Sequence, residues 1–421
     1  MSSRVAAALV LGLLAAALVA TLALTIPWRP LEVPPGGRTA VSADRDFSPA
    51  QIQREQSFHR ALRPASYAGL ATALAVALIL GLTPFGARLV GAVARPLGGG
   101  WAWQVGLGAL ALALIGALAG LPFGVLGERT LRRYGLSTQD WSGWTLDTLK
   151  SFAIGTGLTV AAFLGLYAVV RAAPTTWWAW TALGSALLVV ALSFLYPVVI
   201  EPAFNTFTPL PAGELRTSLL ELARRDDVPA RDVLVADASR RTTALNAYVS
   251  GFGSTRRIVV YDTLLRSAPP AEVRLIVAHE LGHAKRGDVL SGTLIGALGA
   301  AATCCLAYLL LGFPWLLRRA GVPSVADGRS VALLLALAAL AGLLTLPVQA
   351  LLSRHIEARA DVHSLDLTGD PATFIASERR LALTNLSDLR PNPVVYALFF
   401  THPSGPERIA LARDWERLHR R

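Results

Sequence analysis

Residues 279–283 read His-Glu-Leu-Gly-His. On a helix, positions i and i+4 share one face. His279 and His283 can therefore hold a single Zn²⁺, with Glu280 beside it to handle a proton. The chemistry open to that trio is hydrolysis, in which the metal activates a water and polarises a carbonyl while the carboxylate moves the proton. A catalytic zinc takes three protein ligands and keeps one position for water, so a third donor must come from elsewhere. Residues 353–361, Ser-Arg-His-Ile-Glu-Ala-Arg-Ala-Asp, offer Glu357. Asp361 stands one turn further along the same face and can accept the second ring N–H of a zinc histidine, fixing its tautomer. His355 and His363 fall on other faces and read as surface residues. Asp288 reads as support for the site or as an interface cap.

These residues need elements to position them. Pro269 and Pro270 suit the first turn of the helix that carries the pair. Val273, Leu275, Ile276 and Val277 lead into it, which marks a buried helix where His and Glu are costly unless used. Just past His283, at Val289, a long apolar stretch begins. Of the 421 residues, 53% are hydrophobic and 16% charged, against about a quarter charged in soluble chains. Apolar runs at 5–27, 65–87, 101–126, 152–170, 177–200, 289–317 and 330–352 each meet the roughly 20 residues needed to cross a bilayer. Seven spans predict a polytopic, predominantly α-helical membrane protein. The sixth span leaves, and the seventh returns to, the face that holds both motifs. Glu357 then lies about 7.5 Å past Leu352 along a continuing helix.

The polar parts divide accordingly. Residues 1–200 hold spans 1–5 and their loops, 201–288 a catalytic insertion, 289–352 spans 6 and 7, and 353–421 C-terminal helices with the third ligand. Residues 28–64 read as a Pro- and Arg-rich loop too short for a core of its own. Within the insertion, 212–225 has helical spacing, 233–235, 247–249 and 257–261 read as strands, and Gly251, Phe252 and Gly253 as a turn.

The formal charge is +11, nearly all of it Arg, since Lys150 and Lys285 are the only lysines. The charge is spread over inter-span loops without a nucleic-acid module, which favours anionic lipid and not RNA or DNA as the partner. The motif-bearing face carries more of it, which places that face in the cytoplasm. Arg4 ahead of an apolar stretch also fits a cleaved leader, which would reverse the sidedness. Cys304 and Cys305, the only cysteines, are neighbours in the sixth run and offer neither a disulfide framework nor the metal site. A transporter or peptide-binding scaffold would show ionisable residues deep in its spans; here they gather at the boundary.

Several stretches together resemble the zinc CAAX prenyl protease family, type I. They are Val-Ala-His-Glu-Leu-Gly-His at 277–283, the 353–361 run, Asn-Ala-Tyr at 246–248, Thr-His-Pro at 401–403 with Glu407 and Arg408, Glu-Pro-Ala-Phe-Asn-Thr-Phe-Thr-Pro-Leu at 201–210, and Tyr-Gly-Leu-Ser-Thr-Gln at 134–139. The resemblance implies spans ringing a water-filled chamber with one zinc inside, at its cytoplasmic side. It implies a metalloendopeptidase acting near a prenylated C-terminal cysteine or clearing misfolded membrane proteins without a lipid requirement. His402 and Arg408 are implied as further electrophiles, and Asn246, Ala247 and Tyr248 as a segment beside the substrate cleft, suited to pair with extended peptide backbone.

Overall fold

The computed structural model describes residues 2–251 and 253–420. Seven helices among them are long and apolar enough to cross a membrane. The first five are α1 (Ser3–Thr25), α2 (Pro49–Gly81), α3 (Trp101–Arg133), α4 (Trp141–Ala172) and α5 (Trp177–Leu195). Three of these outrun their apolar stretches. Ser48 and Gln51 form a capping box that starts α2 at Pro49, so residues 49–64 are helix and not loop. Likewise α3 continues past Leu126, and Asp140 caps α4 eleven residues before the apolar run at 152. Hydropathy marks the lipid-crossing stretch and is blind to the polar turns that extend it into water.

The spans close into a ring one helix thick. α8 (Asp288–Leu311) packs on α5, α5 on α4, α4 on α3, α3 on α2, α2 on α9 (Val331–Thr368), and α9 returns to α8. α1 packs against α8. At most 28% of any span's most apolar window is buried in protein. Each ring span thus keeps one face for lipid and another toward the space the ring encloses.

Between α5 and α8 lies the small α+β unit. It contains β1 (Phe207–Pro209), α6 (Glu214–Arg225), β2 (Asp232–Ala236), β3 (Ala247–Ser250), β4 (Arg257–Tyr261) and α7 (Pro270–Arg286). The sheet order is β1-β2-β4-β3, with β2 and β4 parallel and both outer pairs antiparallel. β1, three residues long and broken by Pro209, gave no alternating pattern to read in the sequence. Of the expected turn, Gly251 and Gly253 have positive φ, while Phe252 lies outside the described residues. A Cβ on Gly251 would come 2.6 Å from the Thr255 carbonyl oxygen.

Position along α7 decides its roles. Val273, Val277 and Leu281, four apart, enter a core with Leu219, Leu222, Val233, Ile258, Val260 and Leu264. Burying each such side chain contributes about 1.5–3 kcal/mol. The face that remains carries His279, Glu280 and His283 toward α9. After α9, α10 (Pro371–Thr384) and α11 (Gly405–His419) pack on each other, α10 also on α7 and α11 on α9. Arg380 binds Glu272 at 2.6 and 3.1 Å, tying α10 to α7.

Candidate metal and catalytic site

α7 and α9 meet at Gly282. A Cβ there would lie 3.0–3.1 Å from the His363 ring and Cβ, so glycine permits the close approach that brings Glu357 to the two histidines. His279 Nε2 lies 3.2 Å from His283 Nε2 and 3.2 Å from Glu357 Oε2, and His283 Nε2 lies 3.7 Å from Glu357 Oε1. Ligands at about 2.0–2.1 Å from a tetrahedral zinc stand about 3.3 Å apart.

The outer partners decide the tautomers. His279 Nδ1 donates to Asp361 Oδ1 at 2.9 Å, and His283 Nδ1 donates to Asp288 Oδ2 at 2.8 Å. Each Nδ1–H is thereby engaged on the outer side, and both Nε2 atoms face each other and the Glu357 carboxylate. Three ligand atoms converging in this way fit a divalent cation, which would displace any proton shared between them. Of the two roles open to Asp288, the structure shows contact with His283. Arg359 ion-pairs with Asp288 and also donates to the Thr25 carbonyl at 3.2 Å, which links the site to the end of α1.

Asp361 is fully buried. Arg408 grips it, donating from Nε at 2.8 Å and from Nη2, and its Nη1 reaches Glu378 Oε2 at 2.8 Å. Two carboxylates thus occupy the guanidinium, which stands behind His279 and is 14% exposed. Burial pushes the Glu378 carboxyl up, and Arg408 pulls it back. No motif pointed to Glu378; the only signal was an acid at a position where α10 is otherwise apolar. Glu407 forms the capping box with Ser404 and accepts from Tyr396 Oη at 2.9 and 3.0 Å. It thereby fixes the start of α11 at Gly405, three residues before Arg408.

His402 stands on the open side, 3.3 Å from Glu357 Oε2 and 60% exposed at its side chain. Desolvation by the surrounding cleft walls holds its pKa below the ordinary value, ahead of the opposing pull of Glu357. Glu280 lies between two lobes of one cleft. The larger, of about 820 Å³, runs past Phe58, His59, Leu131 and Phe400. The smaller, of about 500 Å³, runs past Tyr248, Val249, Asp288 and Ile356. Asn246, Glu280 and His402 border both. Burial raises the Glu280 carboxyl, opposed by the neighbouring imidazoles. Ala247 and Tyr248 belong to β3, which among the described residues pairs only with β4, and both residues border the smaller lobe. The extensions of α2 and α3 supply the opposite wall.

His363 is not a surface residue. Its side chain is 12% exposed, and Nε2 donates to the buried Asp226 at 2.8 Å, which Lys285 Nζ also reaches at 2.9 Å. His355 stays half-exposed, edge-on to Trp28.

A ring of membrane helices that carries a His-His-Glu donor cluster and a flanking glutamate at its boundary defines a membrane metalloendopeptidase. Comparison with known proteins agrees. Residues 209–416 match the model of peptidase family M48, and residues 43–206 match that of the CAAX prenyl protease N-terminal region, five membrane helices. The chain is 31% identical over 311 residues to an uncharacterized metalloprotease, YhfN, of Bacillus subtilis, covering 72% of each. It is 28% identical over 362 residues to CAAX prenyl protease 1 of Saccharomyces cerevisiae, covering 80% of this chain and 76% of that one. A rice CAAX prenyl protease 1 homolog is 32% identical over 235 residues, 53% of its length. The fold is similar to that of Ste24p from S. mikatae, with a TM-score of 0.75 and 20% identity over 98% of this chain and 99% of that one. The chain belongs to the CAAX prenyl protease family within peptidase family M48.

Proposed function

We propose that this chain is a zinc-dependent endopeptidase of a bacterial cell membrane, cutting peptide bonds of membrane-associated or hydrophobic substrates on the cytoplasmic side. The observation that carries the reading is the convergence of the His279 and His283 Nε2 atoms on the Glu357 carboxylate at 3.2–3.7 Å, with Glu280 at the junction of a two-lobed cleft. A bound zinc would be held by His279, His283 and Glu357, and would supply a water of lowered pKa and a partner for the carbonyl oxygen. Glu280 takes the proton from the attacking water and returns it to the leaving amine. Its raised pKa keeps it a competent acid for the second transfer. The free edge of β3, from Asn246 to Tyr248, pairs with the extended substrate backbone and lays the scissile bond across Glu280. His402 is placed to donate to the oxygen that gains charge. Arg408, held by two carboxylates at the edge of the larger lobe, acts through Asp361 on the orientation of His279.

The names of the relatives point to prenylated CAAX-type peptides as substrates; the cleft opens beside the spans, where a lipid tail would reside. Arginine distribution supports a cytoplasmic site. Side-by-side cleavage of one peptide with and without a C-terminal farnesyl group tests the substrate class. Cleavage of the farnesylated form alone supports CAAX processing; equal cleavage of both supports general membrane-protein quality control. Loss of neither metal nor peptidase activity in Glu357→Ala would overturn the ligand set.

A further inference from the structure

A second built cavity lies at the opposite end of the ring. From Val331 to Glu357 the helix α9 climbs 26 residues, about 39 Å at 1.5 Å per residue, so this end and the metal cluster stand on opposite faces of the bilayer. The cavity, of about 750 Å³, is bordered by Arg88, Arg95, Arg171 and Arg329. Among the described residues, Arg329 alone of these has a carboxylate partner, Asp327, at 2.6 Å. Asp327 also borders the opening, so four guanidiniums surround one carboxylate there, and three of them have no ion-pair partner among the described residues. Arg88 and Arg171 each lie over an aromatic ring, Arg88 at 6.0 Å from the Phe85 centroid. Arg171 stacks over the Trp101 ring at 5.5 Å and donates to the Ala326 carbonyl at 3.4 Å. The 327–330 turn is pressed against α3, where a Cβ on Gly328 would lie 2.8 Å from the Gln104 Cβ.

The floor adds to the charge. The first turn of the 33-residue α3 borders the cavity at Trp101 and Gln104. Its N-cap is Gly100, no side chain caps it, and the first turn holds no acid. Free N–H groups and the positive end of a long helix therefore face the same space as the arginines. Exposed Trp103, Trp180, Trp315, Phe85 and Phe313 ring this end, which marks it as the membrane–water interface.

We propose that this cavity binds a phosphate-bearing anion, the headgroup of an anionic phospholipid whose acyl chains run down between the spans. Phosphate suits it because guanidiniums and helix N–H groups recognise tetrahedral oxyanions together. The depth matches a headgroup at the level of the aromatic ring. The inference is independent of the metal site and its substrate.

The test uses the full chain purified in detergent and native mass spectrometry after titration with phosphatidylglycerol or phosphatidylcholine. Phosphatidylglycerol should remain bound where phosphatidylcholine does not, and the Arg95→Gln/Arg171→Gln double variant should bind it roughly ten-fold more weakly. Because Arg95 is exposed at a helix end, Arg95→Gln alone serves if the double variant fails to fold, with a smaller loss in the same direction. Peptidase activity in detergent should be unchanged in either. A parallel arm titrates inorganic phosphate. Arg95-dependent thermal stabilisation by phosphate, with displacement of phosphatidylglycerol, would support the anion site and assign its source to solution. Equal retention of the two lipids, or undiminished phosphatidylglycerol binding in the variants, would overturn the proposal.

Discussion

Asp361 accepts the Nδ1 proton of His279 at 2.9 Å while standing 0% exposed to solvent. A buried carboxylate in that position fixes which ring nitrogen is free, and Arg408 and Glu378 fix the carboxylate in turn. Substituting Asp361→Asn keeps the shape but allows the amide to turn its NH₂ toward the ring. Metal affinity or activity should fall 10–100-fold. Metal titration against a competing chelator measures it; unchanged affinity would show that the ring is oriented by packing alone.

Glu280→Gln separates binding from chemistry. The side chain keeps its volume at the junction of the two cleft lobes but cannot accept a proton. Metal content should match wild type, and peptidase turnover should drop by roughly 10²–10⁴ or more. Elemental analysis and a fluorogenic peptide assay on the same preparation decide the matter.

Gly282→Ala should force α7 and α9 apart. The added Cβ would meet the His363 ring and Cβ at 3.0–3.1 Å, and overpacking of this kind costs roughly 1–3 kcal/mol. A lower melting temperature and reduced metal occupancy are expected together. Adding His363→Ala should relieve the clash, so the two changes combined would cost less than their sum. Strict additivity in a thermal melt would sink this reading.

Asp370 caps α10, accepting from the Thr373 N–H at 2.9 Å and its hydroxyl at 2.6 Å, and those bonds hold its carboxyl below the ordinary 3.8. A carboxylate whose folded pKa is depressed stabilises the fold fully above its unfolded value, and the benefit fades as pH falls through the folded value. Asp370→Ala should cost about 1 kcal/mol at pH 7. The gap in melting temperature between variant and wild type should shrink once the pH drops below 3.8. A gap that stays constant to lower pH would refute the charged-cap account.

Chelation offers a further check on the outer shell. With metal removed, His279 and His283 have carboxylates at both ring nitrogens. Each imidazole can then take up a second proton, so metal release at neutral pH should be accompanied by proton uptake, seen as a buffer-dependent heat in calorimetry. Buffer-independent heat would argue against the assigned tautomers.

Local order was legible in the sequence where physics is local. The four-residue spacing of His279 and His283 follows from helix geometry alone. The lengths of the seven apolar runs follow from bilayer thickness. Glu357 could be brought near by counting crossings. What remained hidden are partners far apart along the chain: Asp226 with His363, and Glu378 with Arg408, have no spacing rule to join them. The true starts of α2 and α4 were hidden too, because Ser48 and Asp140 act as caps only in the folded backbone.

By itself, then, the sequence determined a polytopic helical protein with a metal-ligating helix at its boundary, because periodicity and hydrophobic length are properties of neighbouring residues. Tertiary structure alone decided how that helix is used. Gly282 lets α9 approach, Asp361 and Asp288 engage the outer nitrogen of each ring, and Arg408 is gripped by Asp361 and Glu378 behind His279. Those outcomes depend on which side chains share a buried volume, and only packing in three dimensions settles that.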